Sequence, residues 1–196
     1  MQTLGQLSRK PAGQQRAKDL ITQHAQQDPK HLTNLLTSEW LLHAADRNHG
    51  NYGFSNDTGK LIPLDYGESF HPLPWAKVGN HPSEDEHYRH RKVDIDKNEL
   101  FKLADANGVL KRDTSLNPEF IDKILAKEGE IRNTFANNVK PHLGQDSVVI
   151  GNAPADKAED LLDSKLAFLK DARQRIANGE NMTLDHLPRY KGANHV

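Results

Sequence analysis

Apolar residues recur three and four positions apart in five segments of this chain, and two short apolar runs interrupt the series once. Residues at that spacing lie on one face of a helix, so the pattern predicts a series of amphipathic helices. The segments that show it are 15–27, 28–45, 96–106, 117–138 and 154–177. The chain is therefore predicted to be mainly α.

The interruption is typical of a β-hairpin. Two short apolar runs, 52–55 and 61–64, stand on either side of the sequence Asn56-Asp57-Thr58-Gly59. Asn, Asp and Gly are the residues that reverse the chain in tight turns between antiparallel strands. The predicted fold class is thus mainly α with a small β-hairpin, followed by a long irregular segment over 68–92.

The predicted elements give a simple domain organisation. Residues 1–14 carry Gly5, Pro11 and Gly13 with little apolar periodicity, and they are interpreted as a flexible N-terminal arm. Residues 15–196 are interpreted as a single domain, because a chain of 196 residues fits around one hydrophobic core.

Polar side chains flank the predicted hairpin on both sides. Asp46 and Asn51 precede its first strand, and Asp65 follows its second strand. The hairpin returns the chain, so Asn51 and Asp65 are expected to lie side by side. Carboxylate and amide oxygens are the ligands that Mg²⁺ accepts, and phosphoryl transfer also needs a carboxylate that orients the attacking hydroxyl. This stretch is therefore predicted to be a phosphoryl-transfer site.

The two flanking runs resemble known kinase motifs. Asp46-Arg47-Asn48-His49-Gly50-Asn51 and Leu64-Asp65-Tyr66-Gly67 are similar to the D-R-H-x-x-N and I-D-F-G loops of the phosphoinositide 3-/4-kinase-like superfamily, and HipA-like bacterial kinases share the arrangement. The resemblance covers about residues 30–70. It implies a kinase C-lobe-like helical domain that uses Mg²⁺ and ATP, with Asp46 as a catalytic residue and Asn51 and Asp65 as metal ligands.

The chain departs from the family pattern at two positions. Asn48 stands where the lipid kinases usually carry His, although His49 is adjacent, and Tyr66 replaces Phe. His49 is a candidate catalytic residue because a side chain inside this loop can contact the transferred phosphoryl group. The alternative is that His49 packs or forms hydrogen bonds that keep the loop in shape.

A cover for the nucleotide phosphates is not recognisable in the sequence. Residues 1–45 hold no G-x-G-x-x-G pattern and no lysine in a strand-like V-A-I-K setting. Three hypotheses follow: a partner chain completes the site, a different segment covers the nucleotide, or the chain is catalytically silent. The expected activity is phosphoryl transfer from ATP to a hydroxyl, with a silent pseudokinase-like binding module or one half of a split kinase as the alternative.

Composition and charge limit the classes of partner and the locations that we expect for this protein. A formal net charge of −1 gives no electrostatic reason to expect nucleic acid as a partner. The sequence lacks a stripe of basic residues that would bind a membrane surface, so a protein substrate is expected rather than a lipid. The sequence has no apolar run of about 20 residues, no secretory signal and no cysteine. We therefore expect a protein without a transmembrane segment, either cytoplasmic or exported to a host or target cell.

Overall fold

The computed structural model describes residues 2–3, 11–44, 47, 51–55, 57–64, 98–142 and 155–188. Three of the four candidate site residues, Asp46, His49 and Asp65, lie outside the described residues. The irregular segment predicted over 68–92 lies outside them as well.

The described residues are mainly helical, with a small antiparallel sheet, which confirms the predicted fold class. The helices are α1 (Pro11–Gln27), α2 (Pro29–Leu41), α3 (Glu99–Ala106), α4 (Pro118–Ala126), α5 (Glu128–Thr134) and α6 (Ala155–Ala177). The strands are β1 (Gln2–Thr3), β2 (Tyr52–Phe54) and β3 (Leu61–Pro63). A π-helical turn, Phe135–Val139, and two 3-10 turns, Lys140–His142 and Leu184–His186, complete the regular structure that is described.

The N-terminal part differs from its prediction in two respects. Helix α1 begins at Pro11, four residues before the predicted start at Gln15, because proline is well suited to the first position of a helix. Strand β1 falls within the predicted arm and pairs antiparallel with β2, with Gln2 opposite Phe54. The division into an arm over 1–14 and one domain over 15–196 stays a prediction.

The hairpin forms where the turn residues predict it. Strands β2 and β3 pair antiparallel, and the N–H of Ser55 donates to the carbonyl of Lys60 to close the connection. Gly59 has a φ of 65°, in the left-handed region that glycine enters without a steric penalty. A residue with a side chain at this position would be strained.

The segment predicted as one helix over 117–138 is instead divided. Helix α4 ends at Lys127, whose φ of −102° and ψ of 11° depart from helical values, and α5 begins at the next residue. Gly129 is a poor helix former, so the sequence around the break gives the helix little local support. The backbone then continues through the π-helical turn that begins at Phe135.

The core forms where α6 packs against α2 and α4, and α1 packs against α2 and α3. The side chains that fill it are almost fully buried, among them Ile21, Leu32, Leu36, Leu100, Ile121, Leu161, Leu162, Leu166 and Leu169. The C-terminal 3-10 turn is held against the α3–α4 connection, where the N–H of Leu116 donates to the carbonyl of Met182 at 2.7 Å. Helix α2 thus lies in the core and leads directly to the loop that precedes the hairpin.

Candidate functional site

Asn51 is the candidate site residue that the structure describes, and it stands immediately before β2. Its carbonyl accepts a hydrogen bond from the N–H of Leu64 at 2.9 Å, one step beyond the Tyr52–Pro63 pair of the ladder. Leu64 is the residue that precedes Asp65 in the sequence. The hairpin register therefore brings the backbone of Asn51 beside the residue next to Asp65.

The hairpin is also fixed to helix α2 from its other end. The Nε2 atom of His31 lies 2.8 Å from the carbonyl oxygen of Leu61, at the start of β3. His24, on α1, packs edge-on against His31 with ring centroids 4.8 Å apart. Burial, and secondarily the neighbouring His31, lowers the pKa of His24.

A buried carboxylate on α2 joins the loop, the hairpin and α3. The Oε2 atom of Glu39 accepts hydrogen bonds from the hydroxyl of Tyr52 at 2.8 Å and from the side-chain amide of Asn98 at 2.5 Å. The Oε1 atom faces Nη1 of Arg47 at 3.5 Å. We call these four residues, which lie on four different segments of the chain, the Glu39 cluster: Glu39, Arg47, Tyr52 and Asn98.

The start of α3 fixes the loop a second time. The side-chain oxygen of Asn98 accepts hydrogen bonds from the N–H groups of Leu100 and Phe101, as a helix N-cap does. The N–H of Glu99, the first residue of α3, donates to the carbonyl of Arg47 at 3.0 Å. Both the side chain and the backbone of Arg47 are therefore attached to surrounding elements.

Burial dominates the electrostatics of the cluster. It raises the pKa of Glu39 from 4.5 to about 7, although the Arg47 guanidinium and the hydrogen bonds from Tyr52 and Asn98 act in the opposite direction. Burial and the adjacent Glu39 carboxylate also raise the pKa of the Tyr52 hydroxyl. Tyr52 therefore remains a neutral hydrogen-bond donor at any physiological pH.

The raised pKa of Glu39 predicts a pH-dependent stability. The folded chain binds a proton at Glu39 more tightly than the unfolded chain, so the pH-dependent part of its contribution to stability is fully present below about pH 4.5 and is lost as the pH rises to about 7. The expected loss in the free energy of unfolding is roughly 3 kcal/mol. Urea denaturation of wild type and Glu39→Gln across this range measures it, because the difference between the two curves removes the titration of all other groups. Parallel curves would contradict the assignment.

A second buried ionisable group lies where the chain leaves α2. Lys165, on α6, has no exposed surface, and its Nζ donates to the carbonyl of Trp40 and lies 3.1 Å from Nδ1 of His43. Nζ also lies 5.1 Å from the centroid of the Trp40 ring. Burial lowers the pKa of Lys165 well below its usual value. We call Lys165, Trp40 and His43 the Lys165 cluster.

His43 adopts an uncommon backbone conformation at this point. Its φ is 49°, in the left-handed region that residues other than glycine rarely enter. Such conformations persist where surrounding contacts hold them, and the contact with Lys165 is one of these. The chain direction after α2 is thus fixed by the backbone at the end of the helix, where the N–H of Ala44 donates to the carbonyl of Glu39 at 3.0 Å, and the His43 side chain adds its contact with Lys165.

The sequence interpretation missed both clusters, although a signal for them is present. Glu39 lies four residues after Leu35 on the apolar face of α2, and Lys165 lies four residues after Leu161 on the apolar face of α6. A charged residue on an apolar helix face is buried with its partners or placed at an edge of the core. The sequence gives no such indication for Asn98, because an asparagine at a helix N-cap is already explained by its hydrogen bonds to the helix backbone.

No set of three His, Cys, Asp or Glu side chains that could hold a metal ion occurs among the described residues. The predicted metal ligands, Asn51 and Asp65, are an asparagine and a single carboxylate, so they would not form such a set of three. Asp65 is also outside the part of the chain that is described. The described helices also include none that is long and apolar enough to cross a membrane.

In comparisons with protein-family models, with curated proteins and with solved structures, nothing matches this chain significantly. The function must therefore be inferred from the residues of the chain itself.

Proposed function

We propose that this chain is an ATP- and Mg²⁺-dependent phosphotransferase that acts on a hydroxyl group of a protein substrate. In this proposal Asp46 orients or deprotonates the attacking hydroxyl, and Asn51 and Asp65 hold the metal that bridges the nucleotide phosphates. His49 contacts the phosphoryl group that is transferred. The roles given to three of these residues rest on the sequence motif alone: Asp46, His49 and Asp65.

The register of the hairpin is the observation that supports the proposal most directly. A metal bound by Asn51 and Asp65 requires the two ends of the hairpin to lie together, with oxygen atoms about 2.0–2.1 Å from one Mg²⁺ ion. The hydrogen bond from Leu64 to the carbonyl of Asn51 is compatible with that requirement. A hairpin shifted by one residue would turn alternate side chains to the opposite face of the sheet.

The amount of buried polar structure around the loop is the second support. Glu39, Arg47 and Lys165 are each at most 5% exposed, and all three contact residues within or next to the segment 43–52. Taking charged groups out of water is unfavourable, and apolar side chains of similar size would often stabilise a fold as well or better. A loop that only connects α2 to β2 would not need them.

The alternative is a binding module without catalysis, or one half of a split kinase. It is favoured by one observation: the described residues between 11 and 44 form the helices α1 and α2, with no strand that carries a lysine. Protein kinases bind the phosphates with a lysine on a strand and with backbone amides of a Gly-rich loop. If this chain does bind a nucleotide, the residues that cover the phosphates have to come from another segment or from another chain.

We therefore expect the isolated chain to bind Mg·ATP weakly, with a Kd of about 1 mM, or about −4 kcal/mol. Positioned oxygen ligands supply only the metal end of a nucleotide site, and the apolar contacts to the base are what ordinarily add affinity. Isothermal titration calorimetry of the purified chain with ATP, with and without Mg²⁺, measures this. Asn51→Ala should remove the Mg²⁺-dependent part of the binding, whereas Asn137→Ala, at an exposed asparagine, should not.

Micromolar affinity in a monomer would show that a nucleotide cover exists within this chain. Binding that does not depend on Mg²⁺, or that Asn51→Ala leaves unchanged, would contradict the proposed metal site. The activity itself is tested by transfer of labelled phosphate from ATP to a protein mixture, with and without the metal.

A further inference from the structure

A single carboxylate holds the loop through the two residues that adjoin the candidate site residues. Arg47, which faces Oε1 of Glu39, directly follows Asp46 in the sequence. Tyr52, which donates to Oε2 of the same carboxylate, directly follows Asn51. Consecutive Cα atoms are 3.8 Å apart, so fixing a residue restricts the position of its neighbour to within a few ångströms.

The contacts around this carboxylate also join Arg47, Tyr52 and Asn98 to one another. The ring of Tyr52 lies 5.7 Å from Cζ of Arg47, so the two residues that Glu39 holds also contact each other. Asn98 closes the arrangement from α3, because its amide donates to Glu39 while its oxygen lies 3.2 Å from the Tyr52 hydroxyl. Hydrogen bonds are directional, so the two donors that meet Oε2 of Glu39, from Tyr52 and Asn98, restrict how these side chains can be arranged.

We propose that Glu39 is a positioning residue for the candidate site: its single carboxylate holds Arg47 and Tyr52, the residues that follow Asp46 and Asn51 in the sequence. The inference rests on the proposed function, because it assigns Glu39 a role in phosphoryl transfer. Glu39 touches neither substrate nor metal in this account. Its effect reaches the site only through the backbone of the loop.

The test compares Glu39→Gln with Thr37→Val on the same helix. Glutamine keeps the size of the side chain and an oxygen that accepts from Tyr52, but at pH 8, where Glu39 is ionised, it removes the charge that faces Arg47. Thr37 is also buried, and its hydroxyl donates within the helix to the carbonyl of Thr33. Thr37→Val therefore removes a buried hydrogen bond from α2 without removing a contact to the loop that is known from the structure.

Two measurements are made on the folded proteins. In a phosphoryl-transfer assay we expect Glu39→Gln to lower kcat by about 100-fold, the scale for a misplaced reacting group, while KM for ATP changes little. Amide hydrogen exchange, read from peptides that cover 44–54, should become about tenfold faster in Glu39→Gln, as expected for the loss of one charge-assisted contact. Thr37→Val should leave kcat, KM and the exchange of these peptides close to wild type.

The two readouts separate this inference from the proposed function. A wild-type chain that transfers no phosphoryl group and binds no Mg²⁺ overturns the proposed function, whereas the exchange of the loop still tests the anchoring by Glu39. Loop exchange that is unchanged in Glu39→Gln, or that rises equally in Thr37→Val, overturns the positioning role. A rise in KM for ATP with kcat unchanged also overturns it, because that result would place Glu39 in nucleotide binding.

Discussion

Replacing Asp46 by alanine is expected to lower phosphoryl transfer by about 100-fold or more, the ordinary scale for removing a positioned general base. Under the proposed function the Asp46 carboxylate orients or deprotonates the attacking hydroxyl, and alanine has no group that can do either. The residue lies in a polar stretch of sequence, so alanine is expected to change the free energy of unfolding by only about 0.5 kcal/mol. Transfer from labelled ATP and a urea denaturation curve measure the two quantities.

Asp57→Ala is the matched control, because Asp57 is an exposed carboxylate in the turn of the same hairpin. It should leave both transfer and stability close to wild type. Full transfer activity in the Asp46→Ala protein would rule out the catalytic assignment. A large loss of stability in Asp46→Ala would show instead that the carboxylate holds the fold.

Replacing Glu39 by alanine is expected to destabilise the folded chain by about 3–5 kcal/mol at pH 8, the range found when one member of a buried ion pair is removed. At this pH Glu39 is ionised, because its pKa is about 7. Alanine takes away the carboxylate that faces the Arg47 guanidinium, and arginine cannot give up its proton to relieve the loss. It also removes the acceptor of the hydrogen bonds from Tyr52 and Asn98.

Chemical denaturation in urea measures this effect, with Glu130→Ala as the control. Glu130 is an exposed helix residue whose ion pair with Lys127 spans one turn, and such pairs contribute about 0.3–0.5 kcal/mol. The two variants remove the same side chain, so the difference between them isolates burial. A loss below about 1 kcal/mol in Glu39→Ala would mean that water or another group replaces the carboxylate.

The sequence alone determined the local elements of this protein. The apolar spacing in 28–45 predicts a helix, and the structure has α2 beginning at Pro29, one residue after the predicted start. The turn sequence 56–59 predicts the hairpin, and the strands β2 and β3 lie on either side of it. These predictions succeed because helix spacing and turn conformation depend on residues only a few positions apart.

The same local reasoning fails where neighbouring residues give conflicting signals. The apolar stripe of 117–138 predicts one helix, and only the structure shows the break at Lys127. Gly13 is interpreted as part of an arm, but it lies within the first turn of α1, which begins at Pro11.

The surroundings of the candidate site were decided by the tertiary structure. Glu39 meets Asn98 across 59 positions of sequence, and Lys165 meets His43 across 122 positions. Periodicity placed both ionisable residues on apolar helix faces, but it contains no information about which faces meet or which polar groups they bring together. The candidate motif follows from consecutive residues and stays a prediction, whereas the carboxylate and the amine that contact the described residues next to it depend on how α2, α3 and α6 pack.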